Sequence, residues 1–197
     1  MRIDELDGYF LVALIASQAA LFVLSGCSEC SDRNEEEAED HAVARPARVG
    51  LDKAGVMHIG PDDRCPVCAM PVSQHQRFAS AIELRDGRTY YFCGTGCMIR
   101  TWLHPEVFLG ETKEALSRAV VREYFNGEHV DAEKAIFVAG SDVVGPMGKA
   151  LVPLKTEADV DVFIKRHKGK VTFRLSEMDD ERWQAITGKR AVGGTQR

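Results

Sequence analysis

The chain lacks any concentrated stretch of Lys and Arg with interleaved aromatics, and its 25 basic residues are outnumbered by 30 acidic ones for a net charge of -5. Phosphate backbones are held by clustered cations, so nucleic acid is excluded as the main partner. Long hydrophobic runs are also missing: the longest, residues 9–24, falls short of the about 20 apolar residues that span a bilayer. Histidine is scarce, with six in the chain, and His58, His75 and His104 are scattered. No nucleophile stands beside a base, so an enzyme is not expected. His58 and His75 remain only as weak ligand candidates.

What is there begins with that short apolar run, which ends at Leu24-Ser25-Gly26-Cys27. An apolar core followed by small residues and a cysteine resembles a bacterial lipoprotein signal, with residues 1–26 removed and Cys27 lipidated. A lipid anchor on the periplasmic side of the envelope follows, and Ser28 after the cysteine weakly favours the outer membrane. Residues 27–55 are acidic, with Glu35, Glu36, Glu37, Glu39 and Asp40 close together, and read as a disordered tether. Export places the thiols in an oxidising compartment. With six cysteines in all and Cys27 carrying lipid, an odd number remains, so at least one is free or metal-bound.

Folded structure is expected from about Val56. Cys65-Pro66-Val67-Cys68 forms a tight knuckle, residues 78–84 alternate as a strand, Asp86-Gly87 signals a hairpin, and residues 88–92 return. The hairpin carries Cys93 back toward Cys65. Cys97 then opens a helix that stops at His104-Pro105. Asn126-Gly127 signals a second hairpin turn, residues 128–131 and 135–139 read as a further pair of strands, and residues 139–148 are irregular. Thr156 caps a helix with Glu157 and Asp159 in its first turn, Lys165, Arg166 and His167 in its last, and Gly169 at its end. Residues 170–175 form a closing strand. The expected architecture is α+β with two small ββαβ lobes, residues 56–125 and 126–178, followed by a polar tail, residues 179–197.

Four of the six cysteines, Cys65, Cys68, Cys93 and Cys97, fall within 33 residues of one another, with Met70 two positions after Cys68. Thiolate and thioether sulfur are polarisable ligands that suit Cu(I), and not the oxygen-seeking Mg2+ or Ca2+. A cysteine at a helix start also gains from exposed amide groups, which favour its thiolate.

These residues resemble the NosL family of copper-handling accessory lipoproteins. Cys65-Pro66-Val67-Cys68-Ala69-Met70 is similar to the family's C-P-V-C-G-M, and Ile82-Glu83-Leu84-Arg85-Asp86-Gly87 to its first hairpin. Tyr124-Phe125-Asn126-Gly127-Glu128 with Asp131-Ala132, and residues 140–148 with their Gly-Pro-Met, resemble two further family segments. The resemblance implies two ββαβ lobes, Cu(I) ligands at Cys68 and Met70 with Cys65 next, and delivery of copper to nitrous oxide reductase or its assembly machinery. Met147 is a candidate to close the site from the second lobe. Two departures stand out. Ala69 replaces a glycine, which matters if that position needs a positive φ. Phe92-Cys93 through Cys97 has cysteines where the family more often has none, and resembles instead the TRASH and YHS metal-handling modules.

Three readings follow. The first is a Cu(I) chaperone that works by ligand exchange. The second is a zinc knuckle in which Cys65, Cys68, Cys93 and Cys97 close a structural Zn(II) site, leaving Met70 without a use. The third is a thiol redox protein, for which Cys65-x-x-Cys68 lacks the strand-to-helix setting.

Overall fold

The computed structural model describes residues 44–193; the expected signal peptide, Cys27, Cys30 and His41 lie outside them. Strand β1 (Ser80–Leu84) turns through Gly87 at φ +89° into β2 (Thr89–Phe92), with the Leu84 N–H donating to Arg88 O at 2.8 Å. Helix α1 (Thr95–Leu103) follows, then the single turn α2 (Pro105–Phe108), and β3 (Leu116–Arg122) returns antiparallel to β1. Through the Asn126-Gly127 turn the chain enters β4 (His129–Asp131), and the sheet order is β2-β1-β3-β4. Central β1 is buried on both faces except at Glu83, which pairs with Arg118 at 2.7 Å.

The second sheet has order β8-β5-β9, from β5 (Ile136–Ala139), β8 (Val152–Leu154) and β9 (Val171–Phe173). Between β5 and β8 lies a small hairpin of β6 (Val144–Gly145) and β7 (Gly148–Lys149). Between β8 and β9 lies α3 (Glu157–His167), started by a capping box in which Thr156 and Asp159 satisfy each other's backbone N–H. Each sheet thus has a first strand flanked antiparallel by the second and third, the topology of a ββαβ unit. The period of two decides how they join. Ile136 and Val138 face a cluster with Val160 and Phe163 of α3, whereas Phe137 and Ala139 face the main core shared with the first sheet.

Four sequence expectations change. Residues 128–131 do not pair with 135–139: β4 extends the first sheet through β3, and β5 pairs with β8 and β9. The Asn-Gly turn therefore lies inside a hairpin, and the chain passes between sheets at residues 132–135, where Asp131 O accepts from Lys134 and Ala135. The stretch expected as tether is bound from Ala47 onward, because Ala47 N donates to Thr89 O while the Tyr91 hydroxyl donates to Val49 O and accepts from His58 N. The expected polar tail contains α4 (Asp180–Thr187), capped by the Asp179 carboxylate, with Trp183 buried in the main core. Finally, Lys168, at φ +58°, takes the left-handed position that ends α3, while Gly169 is needed because a Cβ there would strike Val138.

Candidate metal centre

The knuckle that presents Cys65 and Cys68 is a backbone device. Arg64 bridges Pro71, Cys65 N donates to Met70 O at 3.0 Å, and Ala69 N donates back to Cys65 O at 2.8 Å. To close this ring Ala69 adopts φ +58°, so the position where a glycine was noted as usual does require the left-handed region. Cys93 follows the last residue of β2, and Cys97 lies in the first turn of α1, where Gly94 O accepts from the N–H of Cys97 and Met98. Pairing of β1 with β2 returns the chain past the knuckle, and the four Sγ atoms come within 4.8 Å of one another.

All four are free thiols. Cys68 Sγ is 3.4 Å from Cys93 Sγ, and Cys93 Sγ is 3.8 Å from Cys97 Sγ. Cys65, Cys93 and Cys97 are buried, at 1%, 0% and 2% exposure, whereas Cys68 is only partly buried and gives the cluster its edge toward solvent. The Cys68 thiol is held far below the usual thiol range by hydrogen bonding to Cys65, then to Cys93 and Cys97. Cys65 is also lowered: Cys68 pushes it up, but Cys93 and Cys97 together pull it down further. Cys93 and Cys97 are pushed well up, by Cys65 first, by Cys68 next, and also by burial. Within the cluster the thiolate form is thus favoured at Cys68 and Cys65 and disfavoured at Cys93 and Cys97. A thiophilic cation entering the cluster displaces thiol protons.

Met70 and Met147 are placed differently. Met70 belongs to the knuckle and is half-buried against the main core. Met147 sits on the β6–β7 turn, 52% exposed, on the wall of a cavity that Cys97 also lines. His58 stands 3.6 Å from Asp52, and His104 lies between Glu106 and Asp180. Among the described residues the metal-competent group contains the four cysteines and no histidine or carboxylate. The neighbouring cavity, with Trp183 in its wall, was missed by sequence reasoning. Asp179 before an acidic first turn and Gly188 after the last were the signals of the helix that builds it.

A family model described as NosL matches residues 56–183, from before the knuckle to Trp183. The copper-binding lipoprotein NosL of Stutzerimonas stutzeri is 31% identical over 121 residues, which are 59% of this chain; the chain spans 62% of that relative's length. The crystal structure of the copper chaperone NosL from Shewanella denitrificans matches with a TM-score of 0.55 at 20% identity, over 66% of this chain and 99% of that one, and so shares its fold. The chain belongs to the NosL family.

Proposed function

We propose that this protein is a copper carrier of the cell envelope, holding Cu(I) in the cluster of Cys65, Cys68, Cys93 and Cys97 and passing it on by ligand exchange, without catalysis. The observation that carries this is four thiols within 4.8 Å with one, Cys68, partly exposed. Buried sulfurs hold the ion away from water, and an acceptor's sulfur can reach it at the exposed one. Met70, on the same knuckle, supplies a thioether during exchange, and Met147 from the second lobe is the further candidate. The copper-binding name of the Stutzerimonas relative supports copper as the cargo. The family likeness supports lipidation at Cys27, a periplasmic position, and nitrous oxide reductase or its assembly machinery as the recipient.

A second reading has a specific observation in its favour. Tetrahedral Zn(II) with Zn–S bonds of about 2.3 Å places its sulfurs about 3.8 Å apart. The Cys93–Cys97 separation of 3.8 Å and the Cys68–Cys93 separation of 3.4 Å are close to that edge. The two are separated by loading the reduced protein anaerobically with Cu(I) or Zn(II) and competing with a Cu(I) chelator. The copper reading expects one Cu(I) per chain, displacement of bound zinc by Cu(I), and faster copper loss in Met70→Ala. Zinc that resists Cu(I), with no response to Met70→Ala, would sink it.

A further inference from the structure

Against buried Cys97 and the first turns of α1 lies a cavity of about 440 Å3 walled by Gly96, Met147, Leu151, Trp183 and Ile186. Such a volume falls in the range of small-molecule sites, about 300–1,000 Å3, with apolar walls of the usual kind. Its charge is one-sided. Arg100, Lys149, Lys189 and Arg190 stand around it, and among the described residues no Asp or Glu lines it.

Among the described residues these cations are also uncompensated. Arg100 donates from Nε to Ala191 O and lies over the Phe108 ring, and Lys149 donates to Ser141 O at 3.3 Å. Among the described residues none of the four cations forms an ion pair with a carboxylate. Four such charges around one concavity focus a positive potential that concentrates anions there. Cys97 joins this anion-attracting cavity to the sulfur cluster, since it belongs to both.

We propose that the cavity receives the carbon skeleton of a small carboxylate-bearing thiol that carries Cu(I), so that copper passes into the cluster beside Cys97. The inference rests on Cu(I) being the cargo. Carboxylates of the carrier meet Arg100, Lys149, Lys189 and Arg190, its methylene groups lie on Trp183 and Leu151, and its sulfur end faces Cys97. The exchange is redox-neutral. A bis-thiolate Cu(I) anion loses two copper–sulfur bonds as copper forms two to the cluster. Two cluster thiols release protons, and the departing thiolates take them up and leave as thiols.

The test uses the full chain and glutathione as the carboxylate-bearing thiol. S-methylglutathione, which has no free thiol, is titrated into the reduced metal-free protein and followed by tryptophan fluorescence, to which Trp183 in the cavity wall contributes. Saturable binding is expected, weakened about tenfold by the double substitution Lys189→Glu/Arg190→Glu, whose two side chains are exposed. Stopped-flow loading is then compared between the anionic bis-glutathione Cu(I) complex and the cationic bis-cysteamine complex. At low salt the anionic carrier should load about tenfold faster. In the double variant that advantage should vanish while equilibrium Cu(I) affinity stays unchanged. Absence of saturable S-methylglutathione binding, or binding indifferent to charge reversal, overturns the proposal. Equal loading rates from the two carriers overturn this inference alone, and failure to load from either overturns the copper function with it.

Discussion

Ala69 holds the cysteine knuckle at a cost. At φ +58° an L-residue other than glycine crowds its own carbonyl, a penalty of roughly 1–2 kcal/mol. Its side chain is exposed, so removing the methyl group sacrifices little packing. Ala69→Gly is therefore expected to stabilise the protein by about 1 kcal/mol and raise Tm by about 2–4 °C, measured by calorimetry on the reduced apoprotein. Cu(I) affinity should change less than about threefold, because the backbone ring from Cys65 to Met70 keeps its hydrogen bonds. A fall in Tm would mean that the knuckle relaxes out of the left-handed region. At this scale the sulfurs were legible, since Cys-x-x-Cys and Cys-x-x-x-Cys each keep two thiols together locally. The places of Met147 and Lys168 were not, because both are fixed by where one lobe's loop or helix end meets distant backbone.

Among the elements, β4 tests the corrected strand pairing. His129 stands opposite Arg122 in the β3–β4 register. Burial first, and then the Arg122 cation, hold its pKa below the ordinary 6.5, against a smaller upward pull from Asp52 and with a still smaller downward push from His58. With the folded value below the unfolded one, the unfolded chain binds more protons in the window between them. This group's stability is complete above about pH 6.5 and is lost as the pH falls through the folded value. Urea denaturation at several pH values should show wild-type stability falling as the pH is lowered below about 6.5, and His129→Gln should flatten that fall. An unchanged slope would place His129 away from Arg122 and off the first sheet.

The hairpins at Asp86-Gly87 and Asn126-Gly127 and the Thr156 cap were readable because each is written within a few adjacent residues. The destination of β4 was not, since a three-residue strand takes its partner from sheet geometry and not from its own pattern. Helix α4 was passed over because only Trp183 among its residues is buried, too little for a periodic apolar stripe.

The molecule as a whole has two sheets but one main core. Phe137 stacks on Phe173 at 5.3 Å, and both belong to the cluster that also contains Tyr91, Cys93 and Met98. The cysteine cluster is part of that same interior, since Cys65, Cys93 and Cys97 are counted among its buried residues. Tying the sulfurs with an ion should therefore stabilise both lobes together. A ligand that binds the native state alone contributes RT ln(1 + [L]/Kd), about 4 kcal/mol at a thousandfold excess over Kd. For a folded region of this size that amounts to a rise in Tm of roughly 10 °C. Anaerobic thermal melts with and without one equivalent of Cu(I) should show a single transition moving as a unit, whether followed by far-ultraviolet circular dichroism or by tryptophan fluorescence. Trp102 of α1 and Trp183 of α4 place fluorescent reporters on two separate helices. A second transition that stays put when copper is added would mean that the α3-backed sheet unfolds independently of the cysteine-bearing one.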